Sequence, residues 1–240
     1  MSRKYWFSGL FVFGSIITGR ACLWQIQRKN WKEELIDARK NYIDLDPESV
    51  SLPLPEKDYN YRPVRIRGRF DHAQEMHMMR NYGSQTGFKI VTPFFTGQNQ
   101  GFIVIRGWVP PSHKDPKSRK ESSLEQEISG VLREGDKAGK LTPENSEALN
   151  EWHYIDLEQM ARKCGLHNPE AAQLLIQELN WDRNREVYEG EDWPELPVKA
   201  VKSDFLYFTI MPYTHTAYAT FWFFSSLICT CFAYISLKRF

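Results

Sequence analysis

Two long apolar segments lie near the ends of the chain, and a polar segment separates them. The first covers 5–26, and its only charged residue is Arg20. The second contains no Asp, Glu, Lys or Arg between 205 and 237. Because a helix needs about 20 apolar residues to cross a bilayer, the pattern predicts transmembrane helices over 5–26 and 213–237. The polar residues 27–204 are predicted to form a domain outside the membrane.

The first apolar segment also fits a secretory signal sequence, because two basic residues precede its apolar run. However, no small-x-small cleavage site follows, and Trp24 leads directly into a helical pattern over 27–45. Trp6 and Trp24 are spaced to reach the two interfaces of a bilayer, where aromatic side chains collect. We therefore predict a span, with a cleaved signal as the alternative. Two spans place both termini on one side, and basic residues on every flank leave the orientation open.

Alternation with a period of two predicts strands in the polar segment. Over 64–70, apolar residues and Gly68 alternate with Arg65, Arg67 and Arg69, as in a strand with one buried face. Other apolar and β-branched runs predict further strands at 75–80, 87–95, 102–109 and 124–133. The turn-rich residues 96–101 join two of these strands in a predicted hairpin.

Helical signals in the polar segment are few. Residues 27–45 continue the first span as a polar helix that ends before Pro47. Asp156 and Gly165 are placed to cap and to end a short helix, whereas 174–179 fits either a strand or a helix. The predicted fold is an α+β membrane protein, in which two transmembrane helices flank an antiparallel β-rich domain with a few short helices.

Composition and motifs exclude several classes of protein. The chain has 31 basic and 30 acidic side chains, and this balance argues against a nucleic-acid binder. Cys164 is the only cysteine outside the apolar segments, so the domain has no disulfide framework. Nucleophile-elbow, metalloprotease and nucleotide-binding motifs are absent. We therefore expect a protein that is not an enzyme, since a membrane-anchored hydrolase would need a nucleophile and base.

His72, Met76 and His77 suggest a copper site, because copper accepts imidazole and thioether ligands. Neighbouring side chains of a strand point to opposite faces, however, so Met76 and His77 would diverge. A pair of methionines that faces the core, Met76 and Met78, is the simpler interpretation.

Five residues of the two predicted spans form a second candidate site. His215, Tyr218 and Trp222 are spaced to share one helix face, and Arg20 and Trp24 share another. In a two-span hairpin both groups lie at the same depth, where an imidazole and a guanidinium need partners. Either the five residues pack against each other, lipid headgroups and water, or they bind haem. In the haem hypothesis His215 binds the iron, Arg20 binds a propionate, and the aromatic side chains contact the macrocycle.

Several stretches resemble the surfeit locus protein family, whose members are membrane factors of cytochrome c oxidase assembly. The matching stretches occur in the family's order, at 24–32, 61–72, 91–93, 105–110, 152–161 and 215–222. Two positions depart from the family pattern: Cys22 replaces a usual Gly, and Tyr213 replaces a frequent Asn.

The resemblance implies two spans in the mitochondrial inner membrane, with both termini in the matrix and the domain in the intermembrane space. It implies an assembly factor or chaperone that acts in maturation of the haem-bearing core subunit of the oxidase. That subunit, other assembly factors and membrane lipid are the implied partners. In bacterial relatives a histidine of the second span is linked to haem a, and it would correspond to His215. Haem a binding or placement is therefore the alternative function, and a copper metallochaperone is a third.

Overall fold

The computed structural model describes residues 3–56, 58–181, 193 and 195–239. The chain divides into two units: Met1–Lys40 with Leu206–Phe240, and Asn41–Phe205. We call the first the helical unit and the second the β domain. This division confirms that two apolar helices flank a β-rich domain, as the hydrophobic pattern predicts.

The described residues contain three α-helices: α1 (Arg3–Ile43), α2 (Leu157–Cys164) and α3 (Pro212–Arg239). Both α1 and α3 are long enough and apolar enough to cross a membrane. The polar residues after the first apolar segment continue α1 without a break, which confirms the predicted helical extension. In the β domain, the Asp156 side chain accepts a hydrogen bond from the Gln159 amide at 3.0 Å, and Gly165 ends α2 with φ of 71°. These caps confirm the predicted short helix.

One sheet contains the seven strands of the described residues. They are β1 (Glu48–Ser49), β2 (Pro63–Phe70), β3 (Met76–Tyr82), β4 (Gln85–Gly97), β5 (Gln100–Val109), β6 (Gln126–Glu134) and β7 (Leu174–Glu178). The strand order is β1-β2-β6-β7-β5-β4-β3, and β2 also pairs with β4. This extra pairing closes β2, β6, β7, β5 and β4 into a barrel, and β4–β5 is the predicted hairpin.

Two pairings differ from the predicted antiparallel sheet: β1 with β2 and β5 with β7 are parallel. A parallel pair needs a long crossover connection. The connection from β5 to β7, which contains β6 and α2, supplies this length. Within residues 174–179, which fit either a strand or a helix by pattern, 174–178 form the strand that lies between β6 and β5 in the barrel.

The barrel interior is apolar, and β2 shows how the sequence pattern produces it. Val64, Ile66 and Phe70 are buried, whereas the alternating arginines are exposed. The interior cluster consists of Tyr59, Val64, Ile66, Phe70, Phe94, Phe102, Val104, Ile128, Leu132 and Ile176. Burial of each large apolar side chain contributes roughly 1.5–3 kcal/mol. A second apolar cluster packs α2 and Trp152 against β3, β4 and β5, and it includes Met76 and Met78.

Barrel closure depends on a close approach at Gly68. Immediately after Gly68, β2 changes its partner from β6 to β4. A Cβ atom at this position would overlap the Phe95 carbonyl oxygen and the Phe94 ring. Glycine is therefore the residue that lets β2 reach β4 here.

A chain of alternating charges lies where β2, β5 and β7 end. The Arg106 guanidinium lies over the Phe70 ring, 4.5 Å from its centroid, and pairs with Glu121. Arg106 Nε also lies 3.4 Å from Glu178 Oε2, and Lys199 Nζ lies 3.1 Å from Glu178 Oε1. Three of these groups, Arg106, Glu121 and Glu178, are largely buried, so each needs the next for charge compensation.

Arg119 is the most deeply buried member of this charge chain, with none of its side chain exposed. Its Nη2 donates to both Glu75 oxygens at 2.7 Å, and its Nε donates to Glu121 Oε1 at 2.8 Å. Its Nη1 donates to the carbonyl oxygens of His113 and Lys114 at 2.7 and 3.1 Å. All five N–H donors of the guanidinium are thus used, which fixes the irregular 110–123 segment on the barrel.

We predict that Arg119→Met lowers the free energy of unfolding by about 3–5 kcal/mol, because it leaves Glu75 and Glu121 buried without their shared cation. Urea unfolding of the full chain in detergent, followed by circular dichroism, measures the change. Arg67→Met is the matched control, because Arg67 and its partner Glu125 are mostly exposed; it should cost under about 1 kcal/mol. Equal losses in the two variants would contradict the assigned role of Arg119.

Candidate functional site

The facing sides of α1 and α3 are mainly small and polar, whereas their outer sides are large and apolar. Buried and half-buried positions recur with a spacing of about 3.5 residues, as in helices that pack along a shared axis. On α1 these positions are Ser8, Phe11, Ser15, Thr18, Cys22 and Gln25. On α3 they are His215, Ala219, Trp222, Ser226, Cys229, Ala233 and Ser236. We call these residues together the helix interface.

Hydrogen bonds cross the helix interface at several levels. The hydroxyl oxygens of Ser8 and Ser236 are 2.5 Å apart, and those of Ser15 and Thr230 are 2.7 Å apart. Ser226 Oγ donates to the Ser15 carbonyl oxygen at 2.9 Å. Early residues of α1 meet late residues of α3, so the helices are antiparallel. Small and hydroxyl-bearing side chains pair helices in this way inside lipid.

His215 and Gln25 form the last of these contacts, and both side chains are buried. His215 Nδ1 lies 2.7 Å from Gln25 Oε1. Because a carbonyl oxygen can only accept, Nδ1 carries the proton, and Nε2 of the neutral ring keeps a free lone pair. Within the part of the chain that the structure describes, Nε2 forms no hydrogen bond. Gln25 therefore fixes both the tautomer and the orientation of the imidazole.

The other predicted site residues are divided between two environments. Trp222 lies on the helix interface with His215, one heptad further along α3. Trp24 and Tyr218 are 54% and 48% exposed, and Arg20 is also exposed. Of the other four predicted site residues, only Trp222 therefore lies on the helix interface with His215. Gln25 was not among the predicted site residues, although it belongs to the heptad recurrence of small and polar residues over 8–25.

The copper candidates of the β domain do not come together. His77 Nε2 lies 2.9 Å from Glu75 Oε1, while His72 lies on the other side of this carboxylate, with Nδ1 4.0 Å from Oε2. Met76 is fully buried in the apolar cluster under α2, on the opposite face of β3 from His77. This face alternation is the one that the strand pattern predicts.

His72, Glu75 and Glu121 do offer three ligand atoms within 4.8 Å of one another. A cation there would compete with charges that are already present, because Arg119 contacts both carboxylates. Arg106 contacts Glu121 as well. The donor set is therefore compensated by guanidinium groups, and it fits a structural ion cluster better than a metal site.

The contacts around Glu75 lower the pKa of Glu75 and raise the pKa of His72. Burial alone would raise the pKa of the Glu75 carboxyl, but His72, His77 and Arg119 outweigh burial and lower it to about 2. Ionised Glu75 thus stabilises the fold at pH values above the ordinary pKa of a glutamate. This contribution is lost as the pH falls toward 2. The Glu75 carboxylate raises the pKa of His72, against the effect of burial. Since His72 Nε2 donates to the Ser122 carbonyl oxygen at 3.0 Å, Nδ1 takes the second proton.

We predict that His72→Gln flattens the pH dependence of thermal stability between pH 6 and 8. The raised pKa of His72 means that its stabilisation is complete below the unfolded-state pKa and is lost as the pH rises through the folded-state pKa. The melting temperature of the wild type should therefore fall as the pH rises over this range, and that of the variant should fall less. His167→Gln replaces an exposed histidine and serves as the control. If the melting temperature of His72→Gln fell with pH as steeply as that of the wild type, the pKa of His72 would be the same in the folded and unfolded states.

Comparisons with known proteins find one family. The model of the SURF1 family matches residues 12–227. Surfeit locus protein 1 from Gallus gallus is 36% identical over 162 residues, which cover 59% of this chain and 52% of the relative. The Homo sapiens protein of that name is 35% identical over 162 residues, covering 59% and 54%. A SURF1-like protein from Drosophila melanogaster is 32% identical over 183 residues, covering 67% and 59%.

This chain spans about half the length of the curated relatives that it matches first. The family match is broader, since it begins in α1, includes the whole barrel and ends in α3. The resemblance found in the sequence is thereby confirmed, and the chain belongs to the SURF1 family.

Proposed function

We propose that this protein is an assembly factor for cytochrome c oxidase, anchored in the mitochondrial inner membrane by α1 and α3. In this proposal both termini lie in the matrix, and the β domain lies in the intermembrane space. Membership of the SURF1 family supports an assembly role. The core subunit of the oxidase, other assembly factors and membrane lipid are the proposed partners, and neither nucleic acid nor a catalysed reaction is part of the function.

The observation that carries the membrane anchor is the reversed polarity of the helical unit. Its buried interface is rich in hydroxyl, amide and imidazole groups, whereas large apolar side chains are exposed. The exposed side chains include Leu10, Val12, Phe13, Ile16, Ile17, Leu23, Phe221, Phe223, Phe224, Leu227, Ile228 and Phe232. Such a surface is unfavourable in water, whereas hydrocarbon solvates it and leaves the polar groups paired between the helices.

The β domain supports a binding role rather than catalysis. In the described part of this domain, one group of ionisable side chains pairs its charges with one another: His77, Glu75, Arg119, Glu121, Arg106, Glu178 and Lys199. Arg119, at the centre of that group, has no donor left for a substrate. A domain with this interior presents a stable surface to a partner, as an assembly factor requires.

We predict that cells without this protein lose most of their assembled oxidase, while another respiratory complex stays at its normal level. Native gel electrophoresis and the absorbance of the oxidase haems measure the loss. The wild-type chain should restore the oxidase, whereas Arg119→Met, which disrupts the β domain, should restore less. Normal oxidase in cells that lack the protein would contradict the proposed function.

A specific observation also favours haem a handling as a second candidate function. Histidine ligands of metals usually donate their other ring nitrogen to an acceptor, and Gln25 accepts from Nδ1 of His215 in this way. His215 Nε2 would be the ring nitrogen that holds the haem, and Arg20 would supply a cation for a propionate. Bound haem a would be cargo that the protein delivers to the oxidase, and its iron would take the imidazole nitrogen.

We predict that, if haem a is handled here, protein purified in detergent from cells that make haem a shows a haem absorption band. His215→Ala should lose the band, and Gln25→Ala should weaken it because the imidazole is no longer oriented. His153→Ala removes a histidine of the β domain and should keep the band. A wild-type protein without haem, folded and expressed with adequate haem a, would contradict this second candidate.

A further inference from the structure

Arg20 is a cation of α1 that lies far along the helix from the nearest acidic residue of that helix. It is exposed on α1, and among the described residues it forms neither an ion pair nor a ring contact. The first acidic residue of the chain is Glu33, about 20 Å further along α1 at 1.5 Å per residue. Glu33 already pairs with Lys29 at 3.1 Å, and no acid follows residue 204. Among the residues that the structure describes, the helical unit therefore offers Arg20 no nearby carboxylate.

Arg20 belongs to a helix face on which basic and indole side chains alternate. Trp24 lies one turn after Arg20 and is 54% exposed. Arg28 lies one turn further and stacks on Trp31, with its guanidinium carbon 4.2 Å from the ring centroid. Residues four apart share a face, so the two cations lie about 12 Å apart along α1. We call Arg20, Trp24, Arg28 and Trp31 the Arg20 face.

The position of Arg20 along the span brings it near lipid phosphates. It is 15 positions after Tyr5, or about 22 Å along the helix, in a hydrocarbon layer of about 30 Å. The guanidinium thus starts below the headgroups and must extend toward them. Trp24 and Trp31 lie on the headgroup side of Arg20, where indole rings prefer to be.

We propose that the Arg20 face binds the phosphate of an anionic phospholipid in the leaflet that contains residues 20–31. The proposal rests on the proposed membrane insertion of α1 and α3. Guanidinium groups bind phosphate through two parallel hydrogen bonds, and the indole of Trp24 contacts the glycerol and upper acyl region of the same lipid. An anionic lipid is preferred, because a zwitterionic headgroup brings its own cation toward Arg20 and Arg28.

The lipid phosphate uses the same cation that the haem hypothesis assigns to a propionate. The test therefore uses protein from a host that does not make haem a. The full chain is placed in nanodiscs of phosphatidylcholine with a minority of phosphatidylglycerol, and native mass spectrometry counts the lipids that remain bound. Flotation with vesicles of the same composition measures membrane insertion separately.

We predict that the wild type retains phosphatidylglycerol in preference to phosphatidylcholine, and that Arg20→Gln reduces this preference about fivefold. Arg20→Lys should retain part of it, since an ammonium keeps the charge without the paired hydrogen bonds. Lys238→Gln is the matched control, because it removes an exposed cation near the far end of α3, and it should leave the preference unchanged.

Three results would overturn the proposal. Equal retention of phosphatidylglycerol by the wild type and Arg20→Gln would remove the lipid site while leaving membrane insertion intact. Displacement of the lipid by inorganic phosphate would show a site for free anions instead. A wild-type chain that fails to float with vesicles would overturn the membrane anchor and the lipid site together.

Discussion

The pairing of α1 with α3 is the constraint on which the rest of the structure depends. His215 and Gln25 are 190 positions apart in sequence, yet their side chains form a buried hydrogen bond. The serine contacts of the helix interface continue this pairing toward the chain ends. In the sequence, the β domain is therefore an insertion between two helices that pair with each other.

The two units follow one physical rule in opposite arrangements. The β domain buries apolar side chains inside a barrel, whereas the helical unit exposes them and buries hydroxyl, amide and imidazole groups. In both units a buried polar group is costly unless it is paired. Arg119 meets this requirement with five hydrogen bonds, and His215 Nδ1 meets it with the Gln25 carbonyl oxygen. The exposed guanidinium of Arg20 is instead available to a ligand outside the chain.

Local signals in the sequence predicted local structure well. Alternation over 64–70 predicted both β2 and its buried face, and Asp156 and Gly165 predicted the ends of α2. Barrel closure and the parallel pairing of β7 were not predictable in this way, because they depend on contacts between distant segments. The role of Arg119 was not predictable for the same reason. It lies in an irregular basic segment, and its partner Glu75 is 44 residues away.

The candidate site was predictable in part. The helical spacing drew attention to His215 and Trp222, which do lie on one face of α3. Gln25, the partner of His215, was not predicted, because a neutral amide at an interface position carries neither charge nor aromatic character to distinguish it. Side-chain tautomers and interhelical register are set by the paired helices and cannot be read from either helix alone.

Disulfide cross-linking in isolated membranes tests the paired-span account most directly. Ser8→Cys with Ser236→Cys is made in a chain whose four native cysteines are replaced by serine, and it is compared with Leu10→Cys with Tyr234→Cys. The account predicts rapid oxidation of the first pair, whose native hydroxyl oxygens are 2.5 Å apart, and little of the second, whose side chains point outward. Equal cross-linking of both pairs, or none of the first, would contradict the antiparallel pairing of α1 with α3 in the membrane.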